Sequence, residues 1–168
     1  MTEQQYTKRI RTAGAVSLWT SVGLVIATAL FYFASRYRFY ANDYTARWML
    51  IASSVLAVLA VSMALLTIRK QVPQLRQTDN LEQKLKGYAT LTANVGYSLL
   101  FVVVVLCAVI VFTNQNVLFM LAIVVVMMLF LTYPNIYRIK HDLGLDDEQM
   151  TTLFGNKYIA SNDDNAQQ

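Results

Sequence analysis

Over residues 87–137 the chain contains no Asp, Glu, Lys or Arg, a gap of 51 positions. A soluble helix of that length would have no charged face to turn toward water, and a single bilayer crossing needs only about 20 apolar residues for a core of about 30 Å. Two crossings fit, with Thr113, Asn114, Gln115 and Asn116 supplying the turn. Histidine occurs once, at His141, and cysteine once, at Cys107. One histidine excludes a bundle haem with two axial imidazoles, and one cysteine cannot close an intrachain disulfide. Cys107, His141 and the tail carboxylates would lie at different depths, so no metal ligand set is expected. A glycine-rich phosphate loop and a nucleophile with a base in reach are also missing. The expectation is therefore no catalytic, cofactor-binding or metal residue, and no enzyme. No Asn-x-Ser/Thr sequon occurs, which fits a bacterial membrane protein.

What is present is apolar. Of 168 residues, 56% are hydrophobic and only 14% charged, with a mean hydropathy of +0.40. That is too little charge to cover a soluble domain, and it places the chain in the membrane class. The net charge of +4 does not point to nucleic acid, because the basic residues sit at the ends of apolar runs, where orientation signals belong.

In chain order, Lys8, Arg9 and Arg11 precede an apolar run over residues 13–34. The run is too long for a signal-peptide core and passes through Phe31, Tyr32 and Phe33, so it reads as a retained span despite the small residues Ala27 and Ala29. A loop follows, and residues 48–68 form a second charge-free run closed by Arg69 and Lys70. Pro73 is expected to end that helix. Asp79 or Asn80 then caps a helix that runs unbroken into a third span, about residues 88–112. Twelve Leu, Ile, Val and Phe side chains between Leu99 and Phe112 favour insertion by about 4 to 7 kcal/mol. A fourth span over residues 117–137 continues through a kink near Phe130 to Pro134. Beyond it, Asp146 and Gln149 have capping-box spacing and Gly155 is placed to stop a short amphipathic helix. Residues 161–168 have nothing to bury and read as disordered.

This reading predicts an all-α integral membrane protein with four transmembrane helices arranged as two antiparallel hairpins, followed by a short cytoplasmic C-terminal amphipathic helix. Its divisions are a cytoplasmic N-terminus (1–12), a transmembrane domain (13–141), the amphipathic helix and tail (142–160), and the disordered end (161–168). Eleven Lys and Arg fall on the side of the two termini and three on the other, Arg36, Arg38 and Arg47. Both termini are thus expected in the cytoplasm, in a bacterial inner membrane.

Three groups of residues stand out within that layout. Asn94 is the only amide inside a span, and it is expected to hydrogen-bond across to Ser17 or Ser21; otherwise the small and hydroxyl residues at helical spacing are expected to serve close packing. Arg36, Arg38, Tyr40, Arg47 and Trp48 are candidates for an outer-face ligand or lipid contact, against the plainer reading of an interfacial aromatic belt. Met150, Leu153, Phe154 and Tyr158 stripe the tail helix, and either cap the chain's own bundle or dock on a partner. No span carries an Asp, Glu, Lys, Arg or His, which argues against proton coupling through a buried acid. The expected function is a non-catalytic accessory, scaffold or assembly subunit, in the bilayer with a membrane-protein partner or as a homo-oligomer. The alternative is a small oligomeric channel or transporter for an uncharged or lipidic solute.

Overall fold

The structure, a computed structural model, describes residues 3–34, 42–113 and 116–155, with side chains from residue 5. The described residues are all-helical: α1 (Glu3–Ala34), α2 (Asp43–Arg76), α3 (Leu81–Thr113), α4 (Val117–Leu131), α5 (Ile136–Leu143) and α6 (Asp147–Phe154). The first three are long and apolar enough to cross a membrane; α4 and α5 make a fourth crossing only if the bent pair counts as one.

The central element is α3. Its Leu99, Val103, Leu106 and Ile110 are fully buried, and both α1 and α2 pack along it, with α4 against the same side. The expected packing of α1 against α2 as a hairpin is not what the contacts show: those two helices hardly touch, and each packs instead on α3 and α4. The buried stripe of α2 is narrow, consisting of Ala46, Ser53, Ala57 and Ala64. These recur at intervals of seven and four, so they fall on one stripe of the helix, and their small side chains let the backbones approach without a hydrophobic drive. Most of the remaining α2 surface faces outward.

Two helix boundaries differ from those expected. Proline at Pro73 does not end α2, which runs three residues further to Arg76; Pro73 is exposed, so the carbonyl left without an N–H partner can be solvated. The kink expected near Phe130 to Pro134 is a full break: α4 stops at Leu131 and α5 restarts at Ile136, bent by 70°. Pro134 cannot donate to the preceding turn, and Asn135 accepts from the Arg138 backbone N–H at 2.7 Å, capping a new helix in a new direction. By contrast, α3 is unbroken from its Asn80 cap, as the pattern implies.

At about 1.5 Å per residue, α1, α2 and α3 are each close to 50 Å long, well beyond a 30 Å hydrocarbon core. The surplus lies at the basic end, where α1 already starts at Glu3. There α5 packs on α2 and α6 on α1, and Ile139, Leu143 and Met150 join the buried core that also holds Tyr6, Ile10 and Leu85. The turn between them requires Gly144, whose φ of +61° is the left-handed conformation that costs other residues more. Asp146 then accepts from the Gln149 backbone N–H at 2.7 Å, and the Gln149 side chain returns to Asp146 N–H, completing the capping box. Asp146→Ala is expected to cost about 1 kcal/mol locally. Hydrogen exchange at the α6 amides should then quicken about fivefold, with the α3 amides unchanged; equal change in both would show that α6 is not a separately opening unit.

Candidate functional site

The break after α4 places a polar cluster at the mouth of the bundle. Arg138 and Asp142, one helical turn apart on α5, turn toward α3 while Ile139 and Leu143 face the core. Asp142 Oδ2 accepts from the Tyr88 hydroxyl at 2.8 Å and from Arg138 Nε at 3.4 Å. The Tyr88 ring is only 3% exposed, whereas His141, 3.6 Å from the other carboxylate oxygen, is 86% exposed and solvated. A charge-assisted bond from a buried phenol is stronger than a neutral one, so Asp142 fastens the bent α5 to the central helix. This cluster escapes sequence reading because Tyr88 and Asp142 are 54 residues apart, and only the proline at Pro134 hints that the chain folds back.

Beside this cluster lies a cavity of about 30 Å³ lined by Ser17, Thr92, Gly96 and Pro134 together with Tyr88, Arg138 and Asp142 themselves, room for one or two waters. Its walls are tight. A Cβ on Gly14 would come within 2.6 Å of the Pro134 ring, and one on Gly96 within 2.8 Å of Ser17 Oγ. Thus α1 threads between the helix break and α3 on two glycines.

The residues singled out from the sequence are distributed as follows. Ser17 donates to the carbonyls of Ala13 and Gly14, both at 3.0 Å, and Ser21 to that of Ser17 at 2.7 Å. Both serines are buried and satisfied on their own helix, and Asn94 is exposed on a different side of α3. The expected contact of Asn94 with Ser17 or Ser21 is therefore corrected, since Gly96 and not Asn94 meets Ser17. Ser53 and Thr113 are likewise bonded one turn back on their own helices. Met150 and Leu153 of the tail stripe lie in the chain's own core and Phe154 is half-buried. Tyr158 lies outside the described residues, as do Arg36, Arg38 and Tyr40, the turn at 114–115 and the tail at 161–168. Arg47 and Trp48 are exposed in the first turns of α2, where Trp48 stacks edge-on with Tyr44.

A second candidate site is the open side of α3. Because α1 and α2 do not meet, Thr90, Asn94, Tyr97, Phe101, Val104 and Ala108 form an exposed stripe at alternating intervals of four and three. This is the knob spacing of helices that pack along one another. Hollows flank it on both sides: one of about 520 Å³ toward α2, past Met63, Thr67 and Ser98, and one of about 370 Å³ toward α1, past Thr12 and Val16. Tyr97 borders both. Asn94 stands eight residues, about 12 Å, along α3 from Lys86, which sets it inside the apolar part of the helix.

Comparison with protein-family models, with curated proteins and with solved structures finds no match for this chain.

Proposed function

We propose that the protein is a non-catalytic accessory or assembly subunit of a bacterial inner membrane. It crosses the bilayer four times with both termini in the cytoplasm, and it acts by receiving a transmembrane helix of another protein on the open side of α3. The observation that carries this reading is the α3 stripe itself. A helix that is the core of its own bundle leaves one face bare along its length, at the spacing helices use to pair, with a carboxamide in the apolar region. An amide facing lipid has no water to bond, and a polar side chain on a neighbouring helix satisfies it at a gain of about 0.6 to 2 kcal/mol. The occupant is a single helix rather than a second α3, since α3 is flanked by α1 and α2 and a copy's α3 is equally recessed. The proposed orientation is supported by ten basic residues, among those described, gathered at the end where α5 and α6 fold. A small cavity of about 30 Å³ gives little support to a solute path along the interior.

Photo-crosslinking in native membranes tests the proposal. Tyr97→benzoylphenylalanine should give one discrete heterologous adduct, and the same substitution at Leu59, on the outer face of α2, should give none. Adding Asn94→Leu should lower the Tyr97 adduct about three- to thirtyfold. An adduct twice the mass of the chain would replace the partner by a second copy, and equal yields at Leu59 and Tyr97 would sink the docking face.

A further inference from the structure

Two hollows follow one another along the seam between α1 and α4. At the basic end, one of about 650 Å³ opens between α1 and α6, bordered by Lys8, Arg11, Thr12, Val16, Tyr133 and Phe154. Farther along, a groove of about 460 Å³ is walled by Val22, Val25, Ile26, Ile123, Met127 and Phe130, with hardly a polar atom in it. On α1 the positions 8, 11, 15, 19, 22 and 26 recur every three or four residues and therefore share one face. Trp19, 68% exposed, stands on that face between the two hollows. Lys8 and Arg11 are both exposed, and the ion pairs among the described residues all belong to α5 and α6.

From this pairing of a cationic mouth with an apolar channel we infer a binding site for an anionic phospholipid. Its phosphate rests on Lys8 and Arg11 with the Thr12 hydroxyl beside them, and an acyl chain lies past Trp19 into the groove against α4. A soluble anion would gain nothing from the groove, and a neutral amphiphile nothing from the cations. The dimensions agree with one leaflet: Arg11 to Val22 rises about 16 Å along the helix, and half a bilayer core is about 15 Å. The cationic mouth adjoins the hollow on the α1 side of α3, sharing Lys8, Thr12 and Val16 with it, whereas the acyl groove against α4 shares no residue with the open face of α3.

Tryptophan quenching tests it on the full chain. With Trp48→Phe, Trp19 is the sole reporter. In phosphatidylcholine vesicles carrying the same fraction of either brominated phosphatidylglycerol or brominated phosphatidylcholine, the anionic lipid should quench as though enriched about fivefold or more at Trp19. Lys8→Gln with Arg11→Gln should remove that excess, and Arg69→Gln with Lys70→Gln, at the same end of the bundle, should leave it. Equal quenching by the two lipids, or equal loss in the two double variants, would overturn the site in favour of a diffuse surface attraction. Full displacement by glycerol phosphate at the lipid's own concentration and matched ionic strength would overturn the acyl-chain part.

Discussion

Gly96→Leu is expected to unfold the bundle more readily than any conservative change elsewhere in α3. Even a single Cβ at this position would lie 2.8 Å from Ser17 Oγ and 3.3 Å from Ser17 Cβ. The serine cannot swing aside cheaply, because its hydroxyl is held by two carbonyls of its own helix. A leucine must push α1 off α3 along their most extensive interface, costing about 3 kcal/mol or more. Gly96→Ala should cost about 1 kcal/mol, and less in a Ser17→Gly background, where the side chain it strikes is gone. Denaturation by a strong detergent, followed by near-ultraviolet circular dichroism, reads all three. If the alanine and leucine variants are equally stable, the close approach of the helices at this level is wrong.

The second large effect concerns Asp142. Asp142→Ala leaves the buried Tyr88 hydroxyl without its acceptor, and a stranded buried donor costs about 1 to 3 kcal/mol. Adding Tyr88→Phe removes the stranded group, so the double variant should be more stable than Asp142→Ala alone, a non-additivity that marks direct contact. Hydrogen exchange should localise the change to α5 and to the α3 turn around Tyr88. Strict additivity of the two substitutions would mean that the carboxylate and the phenol do not support each other. The same anchor explains why α5 needs more than its apolar stripe: eight residues, two of them fully buried, are too few to hold a helix at 70° to its predecessor unaided.

Much of this architecture is legible along the chain, and the reason is local. Charge-free runs, the Asp146 and Gln149 box, the Asn80 cap and the disruption at Pro134 all depend on neighbours within a few residues. The azimuth of each helix does not. Every face of a lipid-exposed helix is apolar, so hydropathy cannot say that Gly96 rather than Asn94 turns toward Ser17, or that α1 and α2 each pack on α3 and hardly touch each other. Nor can it reveal that a carboxylate just past the last span comes back to a tyrosine at the start of the third. Pro73 and Pro134 illustrate the limit well. Both lack the same N–H, yet the exposed one is accommodated within α2 and the buried one, pressed on Gly14, turns the chain.

The brevity of α4 bears on which membranes suit the protein. In the proposed four-crossing layout, with α4 as the fourth crossing, its fifteen residues rise only about 22 Å, some 8 Å short of an average hydrocarbon core on that flank. Lipids beside α4 must shorten or the protein must lean, each at a fraction of a kcal/mol per ångström of mismatch. The far side, lined by helices twice as long, imposes no such thinning. A bilayer made of short acyl chains should thus be the more comfortable host, and thickness alone would bias where in a heterogeneous membrane the protein gathers.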